Sequence, residues 1–304
     1  MEPLLAELGV AHRLPEVTGA RFPGVRVGWN APPALQPFGE DAGGPWLGYQ
    51  VNRRAFDAVL LARAEALGAE VRFRCGLRTP LCEGDAVVGA ETDIGERIAA
   101  RMLIDAGGPA AWLSRRLGVA WERRSPALTV RYGYIDGVAP AVAESPELIA
   151  DADGWRWTAR VSDGLTQWAR LTLPGRPAGR EPPDTLARLP PFGPARGADA
   201  TWRIAERTAG PGWFLTGEAA SSVDPTSSKG VLKALTSGLF AGRTTAAVLT
   251  RGAPAPQGAA AYDRWVRRGF EGDVAVLAPL YAALGAEGFG TIASPRRAPL
   301  RSRP

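Results

Sequence analysis

Histidine is nearly missing from this chain of 304 residues: His12 is the only one. That excludes Ser/His/Asp and Cys/His nucleophilic machinery, and most zinc chemistry with it. Cysteine is scarce too, and Cys75 and Cys82 have neither the number nor the company of a disulfide framework or metal site. No run of 18 apolar residues occurs, so no membrane span is expected. The opening MEPLLAELGVAHRLPE carries acids and no long apolar core, unlike a secretory signal. The expected compartment is the cytoplasm, and a difficult reaction here would be carried by an organic cofactor.

Lysine is the other scarcity. Arginine outnumbers it 34 to 2, and the net charge of +5 with a pI near 9.7 rests on scattered arginines. A base-composition bias in the coding DNA accounts for that pattern, so nucleic acid is not an expected partner. Arginine clusters only in the tail SPRRAPLRSRP, which reads as disordered. Hydrophobic and charged fractions of 45% and 22% are those of a globular chain that can bury a core.

Both lysines, Lys229 and Lys233, fall in one stretch, GEAASSVDPTSSKGVLKAL, residues 217 to 235. A short apolar strand, Trp213 to Thr216, precedes it, and a helix begins near Ser227-Ser228. Upstream, PLLAELGV starts helically and GVRVGWN alternates like a strand. Asn52 is a good N-cap for a helix carrying Phe56, Val59, Leu60, Ala64 and Leu67, which Gly68 stops. EVRFRC reads as a strand. LRTPLCEGDAVVGAETDIGERIAARMLIDAGG reads as short strands joined at EGDA and DIGE, and AAWLSRRLG as a helix. From about 126 to 204 the texture changes. LTVRYGYIDG and WRWTARVSDGLTQWARLTL alternate, with SDGL as a hairpin turn. Proline-rich loops at 174–183 and 189–194 bracket a short helix, and one or two helices occupy 258–285.

Two strands end in glycine turns, Asp105-Ala-Gly107-Gly108 and Gly217-Glu218-Ala-Ala. Ligands gather at the carboxyl ends of strands in open α/β sheets, and helix starts favour negative charge. Gly230, Ala234, Gly238 and Gly242 recur every four residues and leave one helix face bare, fit for close packing on a sheet or a flat ligand. Each turn alone is equally an ordinary α/β turn, with Asp105 and Glu218 as solvated acids.

Four stretches carry a family resemblance: Val51-Asn-Arg53-Arg-Ala-Phe56-Asp57 with LLARAEALGAEV after it, Ala100 to Gly107, Gly217 to Gly230, and Gly154-Trp155-Arg156-Trp157. Together they resemble FAD-dependent oxidoreductases of the aromatic-hydroxylase and geranylgeranyl-reductase type, nearest to tryptophan-halogenase-like flavoproteins. The resemblance implies an α/β (α+β) fold: an FAD-binding three-layer sheet with an inserted antiparallel substrate sheet. No G-x-G-x-x-G occurs, so the N-terminal βαβ unit of the family is expected to be missing, and with it the diphosphate loop. The expected parts are an FAD lobe at 1–125 and 205–252, a substrate-side sheet at 126–204, and C-terminal helices with a basic tail at 253–304.

Carried over residue by residue, Gly217 and Glu218 lie at the ribityl chain of FAD, with Glu218 where the family has Asp. Asp224 and Pro225 lie beside the isoalloxazine. The amides around Ser228, Lys229 and Gly230 face its N1–C2=O edge, Asp105 and Gly107 close the second dinucleotide-side strand, and Arg53 reaches the diphosphate or adenosine. Lys229, Trp155 and Trp157 are the catalytic candidates; the tryptophans serve either as packing between lobes or as an aromatic wall.

The implied activity is monooxygenation of an aromatic, tryptophan-like substrate, small molecule or peptide, through a flavin C4a-hydroperoxide. NAD(P)H or a separate flavin reductase would supply electrons. Halogenation is disfavoured, since no lysine precedes Lys229 and Arg21 is the nearest cation there. Reduction of an isoprenoid double bond, and a truncated remnant without catalysis, are the other readings.

Overall fold

The computed structural model describes residues 1–177 and 182–290; the basic tail and the middle of the first proline-rich loop lie outside the described residues. Two compact units emerge. Among the described residues, the first gathers 1–72, 127–177, 182–199 and 280–287, and the second 73–126, 200–279 and 288–290. The sequence texture places residues 1–72 with 205–252, whereas in the structure they gather with the antiparallel sheet. The reason is a long-range pairing: strand Gly24–Gly28 runs parallel to Glu147–Asp151 and carries Ala34–Pro37 on its far side.

The first unit is built on a mixed seven-stranded sheet. Its order is Arg196–Asp199, Thr129–Asp136, Leu165–Thr172, Gly154–Ser162, Glu147–Asp151, Gly24–Gly28, Ala34–Pro37. The central hairpin turns where SDGL predicts, with Ser162 opposite Leu165. Successive side chains point to opposite faces, so Trp155 and Trp157 share a face with Leu171 and Ala169, and Trp168 stands on the other. Trp155 is fully buried and donates Nε1–H to the Tyr281 hydroxyl at 2.8 Å. Trp168 packs with Ile135, Ala139, Val142 and Leu186. A Cβ at Gly133 would come to 3.0 Å from the Trp168 ring, so a larger residue there would press on that ring across the strand pair.

Helix Arg53–Ala66 begins and ends where its capping residues direct. The Asn52 side chain accepts from Ala55 N–H at 3.1 Å, and Gly68 ends it at φ +95°. Trp29 and Asn30 reach the last turn of helix Ala255–Ala283. Trp29 Nε1 donates to the Leu280 carbonyl at 2.8 Å, and Asn30 Nδ2 to the Ala283 carbonyl at 2.6 Å. Those are carbonyls that a helix end leaves without partners.

In the second unit the strands Leu103–Asp105 and Trp213–Leu215 run parallel and in register, with Ala209–Gly210 antiparallel beyond them. A meander of Leu77–Glu83, Ala86–Thr92 and Arg97–Ala99 turns at Gly84 and Gly95, as EGDA and DIGE predict. A third sheet joins Trp121–Arg123, Arg203–Ala205 and Ser221–Ser222. Helix Gly230–Arg251 and the larger part of helix Ala255–Ala283 complete the unit. Leu113, Trp202, Trp213, Phe214, Tyr262 and Phe270 are fully buried or nearly so.

One expected element is absent. Glu70–Cys75 forms no strand, and Phe73 is 74% exposed. A strand exists through hydrogen bonds to a neighbour, and no described strand pairs with this segment. The bare face of helix Gly230–Arg251 is also open rather than packed: a Cβ at Gly230, Gly238 or Gly242 would meet nothing within 4 Å.

Within the large sheet, Arg170 grips Asp151 through two parallel N–H···O bonds of 2.7 and 2.8 Å. Burial pushes the Asp151 carboxyl up, but the Arg170 guanidinium outweighs it, and the pKa lies below the usual carboxylate value. A carboxyl with a lowered native pKa stabilises the fold above its unfolded pKa and loses that contribution as pH falls through the native one. Asp151→Asn should therefore lower the melting temperature at pH 7. The loss should sit at the low end of about 1–3 kcal/mol, since the Asp151 side chain is 42% exposed. The gap from the parent chain should close in melts taken at falling pH below the carboxylate range.

Candidate functional site

The two glycine turns foreseen at strand ends lie at the carboxyl ends of the parallel pair and are tied to each other. Thr216 N–H donates to the Asp105 carbonyl at 2.9 Å, and the Thr216 hydroxyl donates to the same oxygen at 3.2 Å. The Asp105 carboxylate is buried: Oδ1 accepts from Gly107 N–H at 2.8 Å and Oδ2 from Leu113 N–H at 2.9 Å. Both oxygens thus shape the turn and the helix start beyond it.

Gly217 is buried at φ +55°, a left-handed backbone that disfavours side chains. Its N–H donates to Ser237 Oγ at 2.9 Å, and an added Cβ would sit 3.4 Å from Ala234 Cβ. Backbone and helix are therefore in contact here because neither partner is large. Glu218, next in sequence, is exposed.

Asp224 is fully buried and faces inward. It accepts from Trp202 Nε1–H at 2.6 Å, from Thr226 N–H at 2.9 Å and from the Thr226 hydroxyl. Pro225 opens a single 3-10 turn ending at Ser228, which adopts the left-handed conformation at φ +53°. The chain thereby turns into helix Gly230–Arg251 with Lys229 as its N-cap and no side-chain cap bond. The first N–H groups of a helix have no partner inside it.

Both lysines lean toward helix Ala255–Ala283. Lys229 Nζ is 2.8 Å from Asp273 Oδ1, and Lys233 Nζ is 3.6 Å from Asp273 Oδ2 and 3.5 Å from Ser221 Oγ. Asp273 is 6% exposed. Burial lowers the Lys233 pKa, with Asp273 only partly opposing it. Between the two helices lies a cavity of about 440 Å³, lined by Gly217, both lysines, Asp273 and the rings of Trp265 and Phe270. Next to it, Tyr262 donates to the Leu215 carbonyl at 2.6 Å, and burial pushes its hydroxyl pKa up.

Of the residues named from sequence, Asp105, Gly107, Gly217, Glu218, Asp224, Pro225, Ser228, Lys229 and Gly230 gather in the second unit. Arg53, Trp155 and Trp157 belong to the first. There Arg53 pairs with Asp57 at 3.2 Å, and Trp155 is core. Sequence reasoning missed Asp273, Ser221, Trp265 and Phe270. The one available signal was that the chain's two lysines stand four residues apart on one helix. Among the described residues no helix is long and apolar enough to cross a membrane, and no group of three or more His, Cys, Asp or Glu could hold a metal.

A model of the tryptophan halogenase family matches residues 42–283. Digeranylgeranylglycerophospholipid reductase 2 of Methanopyrus kandleri is 27% identical over 235 residues, 69% of this chain and 58% of the reductase. The chain thus spans less than two thirds of that relative. The flavin-dependent brominase Bmp2 superposes with a TM-score of 0.76 at 19% identity, covering 92% of this chain and 77% of the brominase. The peptidyl tryptophan dihydroxylase QhpG, essential for tryptophylquinone cofactor biogenesis, superposes at 0.68 with 20% identity, over 93% of this chain and 65% of its own. At these identities the structural likeness is one of fold, and it is the mixed α/β fold expected from sequence.

Gly217→Ala should destabilise the chain by roughly 1–2 kcal/mol, the cost of placing an L side chain in left-handed backbone. Thermal melts of Gly217→Ala with and without Ala234→Gly separate the causes. Relief of the side-chain contact should recover less than half of the loss.

Proposed function

Because the chain belongs to the tryptophan halogenase family, we propose that it is an FAD-dependent oxidoreductase, a monooxygenase of an aromatic substrate. The ring end of the flavin lies at the start of helix Gly230–Arg251. The observation that supports this best is that helix start: 22 residues long, without a side-chain cap, with Lys229 at its mouth and the Gly217 turn against its second turn.

Aligned peptide dipoles place about half a positive charge at such a start. An electron-rich ring edge that gains negative charge on reduction is stabilised there, by N–H groups already fixed in position. Lys229 adds a cation held by Asp273. Gly217 keeps a side chain away from the path of a ribityl chain, and Glu218 offers an exposed carboxylate to accept a hydroxyl hydrogen. When bound, FAD supplies the two-electron redox chemistry; the chain's own residues bind, orient and exclude water.

The residues fit the ring and ribityl end of the cofactor. The sequence carries no glycine fingerprint for its diphosphate, and Asp105 and Asp224 act through the turns they hold rather than by direct contact. Arg21, the cation nearest the position where halogenation would need a lysine, stacks 4.1 Å over the Tyr49 ring and donates to the Leu47 carbonyl. That favours oxygenation over halogenation. A second reading, reduction of an isoprenoid double bond, draws support from the archaeal reductase likeness.

The purified chain with excess FAD should retain flavin absorbance through gel filtration; a colourless protein overturns the reading. Lys229→Met should reduce the preference for reduced over oxidised flavin about two- to fivefold, measured by reductive titration. Chemically reduced holoprotein offered indoles and isoprenoids under oxygen separates the two reactions by their products.

A further inference from the structure

The segment Gly288-Phe289-Gly290 belongs to the second unit and is seated there by its backbone and its ring. Gly290 N–H donates to the Arg124 carbonyl at 2.8 Å. The Phe289 ring meets Trp202 edge to face, with centroids 5.0 Å apart and an interplanar angle of 69°. The glycines on either side are left-handed, at φ +80° and +81°, so the turn that aims Phe289 inward is one that side chains disfavour. A Cβ at Gly290 would also come to 3.1 Å from Ala278 Cβ.

Trp202 is fully buried and bonded at every polar atom. Its N–H donates to Ser125 Oγ at 2.9 Å, and its carbonyl accepts from Arg124 N–H at 2.9 Å. Its Nε1–H donates to Asp224 Oδ2 at 2.6 Å, and Asp224 Oδ1 accepts from Thr226 N–H at 2.9 Å. The turn through Ser228 then delivers Lys229 to the start of helix Gly230–Arg251. Arg124 thus receives Gly290 through its carbonyl and holds Trp202 through its N–H. Phe289, Trp202, Asp224 and Thr226 form an unbroken line of contacts from the 288–290 segment to that helix start.

We propose that Gly288-Phe289-Gly290 is a latch that sets the order of the 224–229 loop, with Trp202 as the positioning residue between them. Seated, Phe289 forms one wall around the Trp202 ring and so fixes the hydrogen that Asp224 accepts. Withdrawn, it frees that ring to move, and the bond to Asp224 opens more often. The carboxylate then loosens its hold on Thr226, and the helix-start amides lose their fixed direction. A ligand at the helix start and a seated latch favour one another, since each selects the ordered loop. Identifying that ligand as FAD rests on the flavin reading; the latch itself does not.

Native-state hydrogen exchange on the full chain tests the latch, because it reads local opening site by site. In Phe289→Ala, Trp202 Nε1–H and Thr226 N–H should exchange about two- to tenfold faster, the worth of one edge-to-face aromatic pair. The amides of strand Ala86–Thr92, in the same unit, should keep their rates. Phe289→Tyr, which restores the ring, should return Trp202 and Thr226 to parent values. Unchanged exchange at those two sites in Phe289→Ala, or an equal rise in strand Ala86–Thr92, would overturn the proposal. Should Phe289→Ala fail to fold by circular dichroism, Phe289→Leu decides by the same comparison. Exchange run beside a flavin-retention assay keeps the two ideas apart. A local rise in a chain that takes up no flavin upholds the latch while the oxygenase reading falls, and flavin uptake with unchanged exchange does the reverse.

Discussion

One backbone oxygen, that of Asp105, ties together the ends of the two parallel strands in the second unit. It receives both the N–H and the hydroxyl of Thr216, while the carboxylate of the same residue takes two further N–H groups from the turn and helix that follow. Gly217 begins where this knot ends. Its left-handed backbone directs its N–H at Ser237, which sets how close the loop lies to the helix. A buried carboxylate with complete hydrogen bonding holds its surroundings firmly, because any departure leaves charge without a partner.

Asp224 repeats that design nine residues after the strand ends at Leu215. Trp202 and Thr226 surround its carboxylate, so the loop between strand and helix is fixed from inside. Both acids therefore fix the turns around them through their hydrogen bonds. On the proposed flavin reading, the groups that meet the cofactor are the helix-start amides, Gly217, Glu218 and Lys229.

Local signals told true wherever one residue controls a local shape. Asn52 and Gly68 bounded a helix, SDGL set a hairpin, and Gly84 and Gly95 marked turns. The gathering of Asp105, Gly107 and the 217–230 loop was legible as well, because strand ends in an α/β sheet collect ligand-side residues. What stayed hidden depends on distant partners. Glu70–Cys75 alternates but joins no strand among the described residues. Asp273 meets Lys229 from 44 positions away, and Trp155 finds Tyr281 across 126. Periodicity reports which face of an element is apolar and is silent about what covers it.

The scarcity of lysine gives this chain a chemical address. Apart from the amino terminus, an amine-directed reagent encounters two side chains, both at the mouth of one helix, and they differ in access: 52% of the Lys229 side chain faces solvent against 19% for Lys233. A dye or crosslinker coupled under gentle conditions would therefore settle first on Lys229, and so report from beside the cavity with no engineered handle.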